Sequence, residues 1–171
     1  MSLVAKRNGY DLPLFGIDDH KFYAIHIPAL VCILLSLVSV ILVLYASFRD
    51  QSFTKFFSWT KCERFVVYIA ICDGMYNVCH SMDHIHILTT KDHVKPKQLC
   101  EFYGFNLIVF ITAQILMVNI VAINAFVLVY FRKKLHFGEY DWKLLLWMFG
   151  VSFIAASIAL GISVIGPNGA A

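Results

Sequence analysis

Residues 80–86 read His80-Ser-Met-Asp83-His84-Ile-His86, three imidazoles and a carboxylate inside an otherwise apolar stretch. His80 and His84 stand four apart, one helical turn, a spacing that can present two ring nitrogens to a transition metal. A zinc site would need a third ligand, from Asp83, His86, His93 or His26. The alternative is a wet helix end with histidines at the membrane interface. His26 facing a histidine of residues 80–86 also raises bis-histidine haem ligation. No metal and no cofactor is expected on balance. About two helical turns before His80 lies Asp73. Asp73, Asn77, His80 and His84 are spaced four, three and four, so on a helix they share one face. That polar stripe should turn inward, toward Thr112, Gln114, Asn119 and Asn124 of a neighbouring helix. It forms either plain interhelical hydrogen bonds or, at Asp73, a cation or proton site.

The elements that carry these residues follow from hydropathy. The 171-residue chain is 60% hydrophobic and 15% charged, against roughly 45–50% and 25% in ordinary soluble chains. Four long apolar segments absorb the excess, at residues 23–48, 65–88, 102–131 and 144–165; of the charged residues only Asp73 and Asp83 lie inside them. About 20 helical residues cross a hydrocarbon core of about 30 Å. The expected fold is therefore all-α, a polytopic membrane bundle of four transmembrane helices, preceded by a flexible extracellular tail over residues 1–22. Pro28 should fall in the first turns of the first span, where a missing amide donor costs little.

Lys and Arg in the flanks set the orientation. Arg49, Lys55, Lys61 and Arg64 occupy the first loop, and Arg132, Lys133, Lys134 and Lys143 the third. Lys6, Arg7, Lys21, Lys91, Lys95 and Lys97 fall on the other side. Eight against six favours the amino terminus outside, and the Arg132–Lys134 cluster beside the third span adds weight to that side. The aromatics Phe53, Phe56, Phe57 and Trp59 read as a short amphipathic stretch in the interface, and Trp142 and Trp147 as an aromatic belt.

Several classes are excluded. A net charge of +3 spread over loops does not suit a nucleic-acid binder. GxGxxG, P-loop and HExxH motifs are absent, and the five cysteines include no CxxC pair. No chemistry on a substrate is expected.

The chain resembles the first four helices of a seven-helix G-protein-coupled receptor. Ala70-Ile-Cys-Asp73 is similar to the A-x-x-D motif of helix two, Cys100 opens the third span, and Trp147 suits the helix-four tryptophan. Asn124-Ala125-Phe126 stands in place of the Asp-Arg-Tyr triplet, and Ile165-Gly-Pro-Asn-Gly169 looks most like the cyclic-AMP-receptor-like group. The resemblance implies an ion or switch site of Asp73, Gln114 and Asn77, and an outer ligand pocket of His80, Asp83 and His84. It implies a disulfide from Cys100 to a cysteine beyond the chain end. Its partners would be an unknown extracellular ligand, membrane lipid and a heterotrimeric G protein on the inner face, in the plasma membrane. The chain then reads as a receptor truncated after helix four. The alternative is a complete four-helix membrane protein acting as an assembly, channel or transporter subunit.

Overall fold

A computed structural model describes residues 9–14, 16–17, 21–49 and 51–166. Among them there is no strand, and four helical rods carry the fold. The first, α1 (Phe22–Arg49), buries only Phe22, His26, Ile33 and Val40. Its other faces expose Leu34, Leu35, Ile41 and Leu42 by more than half. Such a surface is stable against lipid tails and not against water. Pro28 lies in the second turn of α1, within the first turns as expected. The helix begins one residue before the apolar segment, at Phe22, which is buried against the bundle.

The second rod, α2 (Lys61–Thr90), opens on a capping box. The Thr60 hydroxyl accepts from the Glu63 amide, and the Glu63 carboxylate accepts from the Thr60 amide. The Thr60 hydroxyl, then the Thr60 amide and the Gln51 side chain, donate to the Glu63 carboxylate and hold it below the usual carboxylate range. The helix closes at Lys91 in the left-handed conformation (φ 52°). The third, α3 (Lys97–Tyr130), presents Ala113 and Met117, fully buried. The fourth rod runs Glu139–Gly161. It comprises α4 (Trp142–Leu145), a π-helical turn over Leu146–Gly150, and α5 (Val151–Gly161).

Length and apolarity qualify three rods to cross a membrane: α1, α3 and the fourth. The chain is thus an all-helical protein with the long apolar helices of a multi-pass membrane protein. The expectation of four spans is met for these three. At 30 residues α2 is long enough, but Asp73, Asn77, His80, Asp83, His84 and His86 lower its apolarity. It is sandwiched between neighbours, packing on α1 and α3, while α3 packs on α2 and the fourth rod. The rods follow one another in chain order, and neighbours run antiparallel: His26 near the start of α1 meets His84 near the end of α2.

Two cores hold the row. Phe65 and Cys72 of α2 meet Ala113 and Met117 of α3 and Leu144 and Met148 of the fourth rod. Near the amino terminus, Leu14, Phe22, Ile87, Val94 and Tyr103 form the second. Described tail residues reach the bundle: Tyr10 donates to the Val94 carbonyl (3.0 Å) and His93 Nε2 to the Leu12 carbonyl (2.7 Å). Of the loop aromatics, Phe53 and Phe57 are exposed, while Trp59 is buried at 7% exposure against Phe48 and Phe56. Trp142 and Trp147 are half-exposed.

Candidate functional site

The interface of α1 and α2 concentrates the polar side chains, in two groups. The deeper one centres on Asp73. Ser36 of α1 donates to Asp73 Oδ2 (3.0 Å), and the Asn77 amide donates to both Ser36 Oγ (3.0 Å) and the Asp73 carbonyl (2.8 Å). Close helix approach makes this possible. A Cβ on Gly74 would stand 3.1 Å from Val40 Cγ1, so the missing side chain lets α1 come near. Among the described residues no cation pairs with Asp73; its carboxylate has a neutral hydroxyl as its donor.

Gln114, expected as the partner of Asp73, is not hydrogen-bonded to it. The reason is helical rotation. Cys72 is fully buried and packs with Ala113 and Met117, and the next residue points about 100° away. Asp73 therefore faces α1, and Gln114, one step past Ala113, turns off the α2–α3 contact. Among the described residues Thr112, Asn119 and Asn124 likewise make no hydrogen bond to the stripe; its partners Ser36 and His26 come from the first helix.

The second group lies toward the amino-terminal end. His26 Nδ1 and His84 Nδ1 are 2.8 Å apart, and His84 Nε2 and His80 Nε2 are 2.9 Å apart. Three rings from two helices thus form one hydrogen-bonded chain. His26 and His84 are buried at 2% and 4% exposure, and His80 is half-buried. The Phe22 ring leans on His26 and the Tyr76 ring meets His80 edge-on. Asp83, half-buried, makes no hydrogen bond but acts electrostatically on His26, His80 and His86. The stripe expected from spacing is real, and His26 completes it.

These distances bear on the metal readings. Each contact is a direct nitrogen–nitrogen hydrogen bond, whereas two ligands across an iron would stand about 4 Å apart, at about 2 Å per bond. The haem geometry is therefore not formed by His26 and His84. Among the described residues no group of three His, Cys, Asp or Glu is arranged to hold a metal ion.

Cys100 lies in the first turn of α3, half-buried and a free thiol. It sits against Tyr10, whose hydroxyl burial, and then the thiol, push upward in pKa. Pro167, Asn168 and Gly169 of the chain's last motif lie outside the described residues.

A third polar feature, at the opposite end, was not anticipated. Arg64 near the start of α2 forms a two-pronged ion pair with Asp141: Nε to Oδ2 at 2.6 Å and Nη2 to Oδ1 at 3.0 Å. Its Nη1 donates to the Phe57 and Trp59 carbonyls, and Tyr68 donates to Asp141 Oδ2 (3.2 Å). Both charged side chains are nearly dry, at 10% and 4% exposure. Asp141 and Tyr140 both hold left-handed backbone (φ 55° and 56°), unusual for residues with a Cβ. The Gly138 ahead of them has φ 85°, and a Cβ there would strike the Trp142 indole at 2.5 Å. The only signal in the sequence was an arginine and an aspartate in the flanks of different spans.

Comparison with models of known protein families, with curated proteins and with solved structures finds no match.

Proposed function

We propose that the chain is the amino-terminal part of a membrane receptor of the G-protein-coupled type, with the amino terminus outside the plasma membrane. In this reading His80, Asp83 and His84 border the ligand-sensing end. The opposite end, with the Arg132–Lys134 cluster, faces a heterotrimeric G protein. The observation that carries the proposal is Asp73. A carboxylate in the middle of an apolar helix pair, bonded by the Ser36 hydroxyl that Asn77 in turn holds, and paired with no cation among the described residues, has spare acceptor capacity for a small cation or a proton. An ionisable group at such depth is costly and marks a working site. The switch site is then Asp73, Asn77 and Ser36, with Gln114 outside it.

The test uses the full-length coding sequence. Basal G-protein activation is measured in sodium and in sodium-free choline buffer, for the native receptor and for Asp73→Asn. The native protein should respond to sodium and the variant should not. Equal sodium responses would remove Asp73 from the switch. A transcript that stops at codon 171 would remove the receptor reading itself.

The histidine chain favours a second reading, a membrane subunit that handles protons, because polar relays inside a bundle suit channel and transporter parts. A proton flux in liposomes reconstituted with this chain alone, lost in His84→Gln, would select it.

A further inference from the structure

We infer that His26, His84 and His80 form a binding site for one excess proton, shared along the three rings and bridging α1 to α2. The inference follows from hydrogen-bond counting and holds for either functional reading.

Each neutral imidazole offers one N–H and one lone pair; an imidazolium offers two N–H groups. Both His84 nitrogens are used, one toward His26 and one toward His80. In the neutral chain each of the two hydrogen bonds takes one proton, and the third proton sits on an outward nitrogen at one end. The chain therefore has a direction, and reversing it moves a proton from end to end. Adding one proton places N–H groups on both outward nitrogens, His26 Nε2 and His80 Nδ1, and keeps both internal bonds. A second extra proton forces two N–H groups to face each other across 2.8 or 2.9 Å. One bond must then break. The site holds one proton and rejects the next.

The surroundings suit a single positive charge. Among the described residues Asp83 is the acidic group that acts on the chain, His86 is the other titratable neighbour of Asp83 on α2, and the Tyr76 ring meets His80 edge-on. From α1 His26 itself faces the site. On α3, Cys100 faces Asp83, and no described α3 group acts on the three histidines. No described residue of the amino-terminal segment acts on them; His93 is turned to Leu12. A buried cation needs a partner charge, and one carboxylate balances one proton. His80, the least buried of the three, is the end that exchanges with solvent.

Binding also has a mechanical consequence. His26 is α1's polar link to α2 at this end, so a second protonation would unfasten α1 here, while Ser36 and Asp73 still hold it deeper in the bundle.

The test is nitrogen-15 NMR on histidine-labelled full chain in lipid nanodiscs, titrated downward in pH. Coupling across the hydrogen bonds between His26 and His84, and between His84 and His80, should be visible. It should persist in both bonds while the three rings together take up one proton, and be lost from one of them when the second is taken up. His84→Gln should abolish both couplings and leave His26 and His80 titrating separately, whereas His86→Gln should leave the triad's behaviour unchanged. Should His84→Gln not fold, the native couplings and proton count decide alone. Three separate one-proton titrations, an absence of coupling at every pH, or uptake of two protons with both couplings intact would each overturn the proposal.

Discussion

Replacing either member of the Arg64–Asp141 pair should destabilise the protein far more than replacing both. Breaking a buried ion pair from one side costs about 3–5 kcal/mol, because the remaining charge is stranded. The two sides differ here. Asp141→Asn leaves the guanidinium with the Phe57 and Trp59 carbonyls, so the loss should sit near the low end, about 3 kcal/mol. Arg64→Met leaves the carboxylate with only the Tyr68 hydroxyl, and the loss should approach about 5 kcal/mol. These correspond to roughly a hundred-fold and several-thousand-fold changes in the folded-to-unfolded ratio, at about 1.4 kcal/mol per decade. The paired change Arg64→Met with Asp141→Leu removes both charges and refills the space. It should lie within about 1 kcal/mol of the native protein, near zero rather than the sum of the two. Cys72, fully buried, provides the assay. With Cys32, Cys62, Cys79 and Cys100 replaced by alanine, labelling of Cys72 by a thiol dye through a denaturing-detergent titration reports opening of the α2–α3 core. Single variants each within about 1 kcal/mol of native, adding without coupling, would refute the reasoning.

Other expectations follow from the same geometry. Met117→Ala empties a fully buried position between α2, α3 and the fourth rod and should cost about 2–3 kcal/mol in the same titration. Ser36→Ala removes the hydroxyl that bonds both Asp73 and Asn77; a loss of about 1 kcal/mol is expected, with faster amide exchange in the middle of α1. Thr60→Ala should cost about 1 kcal/mol and fray the first turn of α2, read by hydrogen exchange at residues 61–64. The Glu63 half of that capping box carries a pH signature. Its folded pKa is held down by hydrogen bonds, so its contribution is complete above the ordinary carboxylate range and fades as pH falls through the folded value. Exchange at 61–64 should accelerate in acid, and a pH-independent rate there would contradict the box.

Hydropathy located α1, α3 and the fourth rod because lipid-facing helices need apolarity on every side, a property visible without knowing any partner. The same measure does not single out α2, whose position between α1 and α3 lets it carry Asp73, Asn77 and three histidines. Spacing alone grouped Asp73, Asn77, His80 and His84 on one face correctly. Which neighbour they meet depended on the rotation of α2, set by Cys72 packing into the α3 core; one residue of rotation exchanges Gln114 for Ser36. His26 could be matched to His84 only once antiparallel pairing fixed the height of α1. The Arg64–Asp141 pair spans 77 positions and rests on left-handed backbone at Asp141, which no local pattern announces.

The π-helical turn at Leu146–Gly150 makes the fourth rod tolerant of a deletion at that one place. Leu144, Met148, Ser152 and Ala156 are all nearly or fully buried, at an unbroken spacing of four. In a pure α-helix that spacing drifts about 40° per step, and the wide turn takes back part of the drift. Removing Phe149 would turn the wide turn into an ordinary one and bring the buried spacing to four, three and four, which still lies on one helical face. The same deletion in the regular winding of α5 would swing the residues after it by about 100° and carry them off α3. The turn is thus a slack link, where the rod can lose a residue and keep its face.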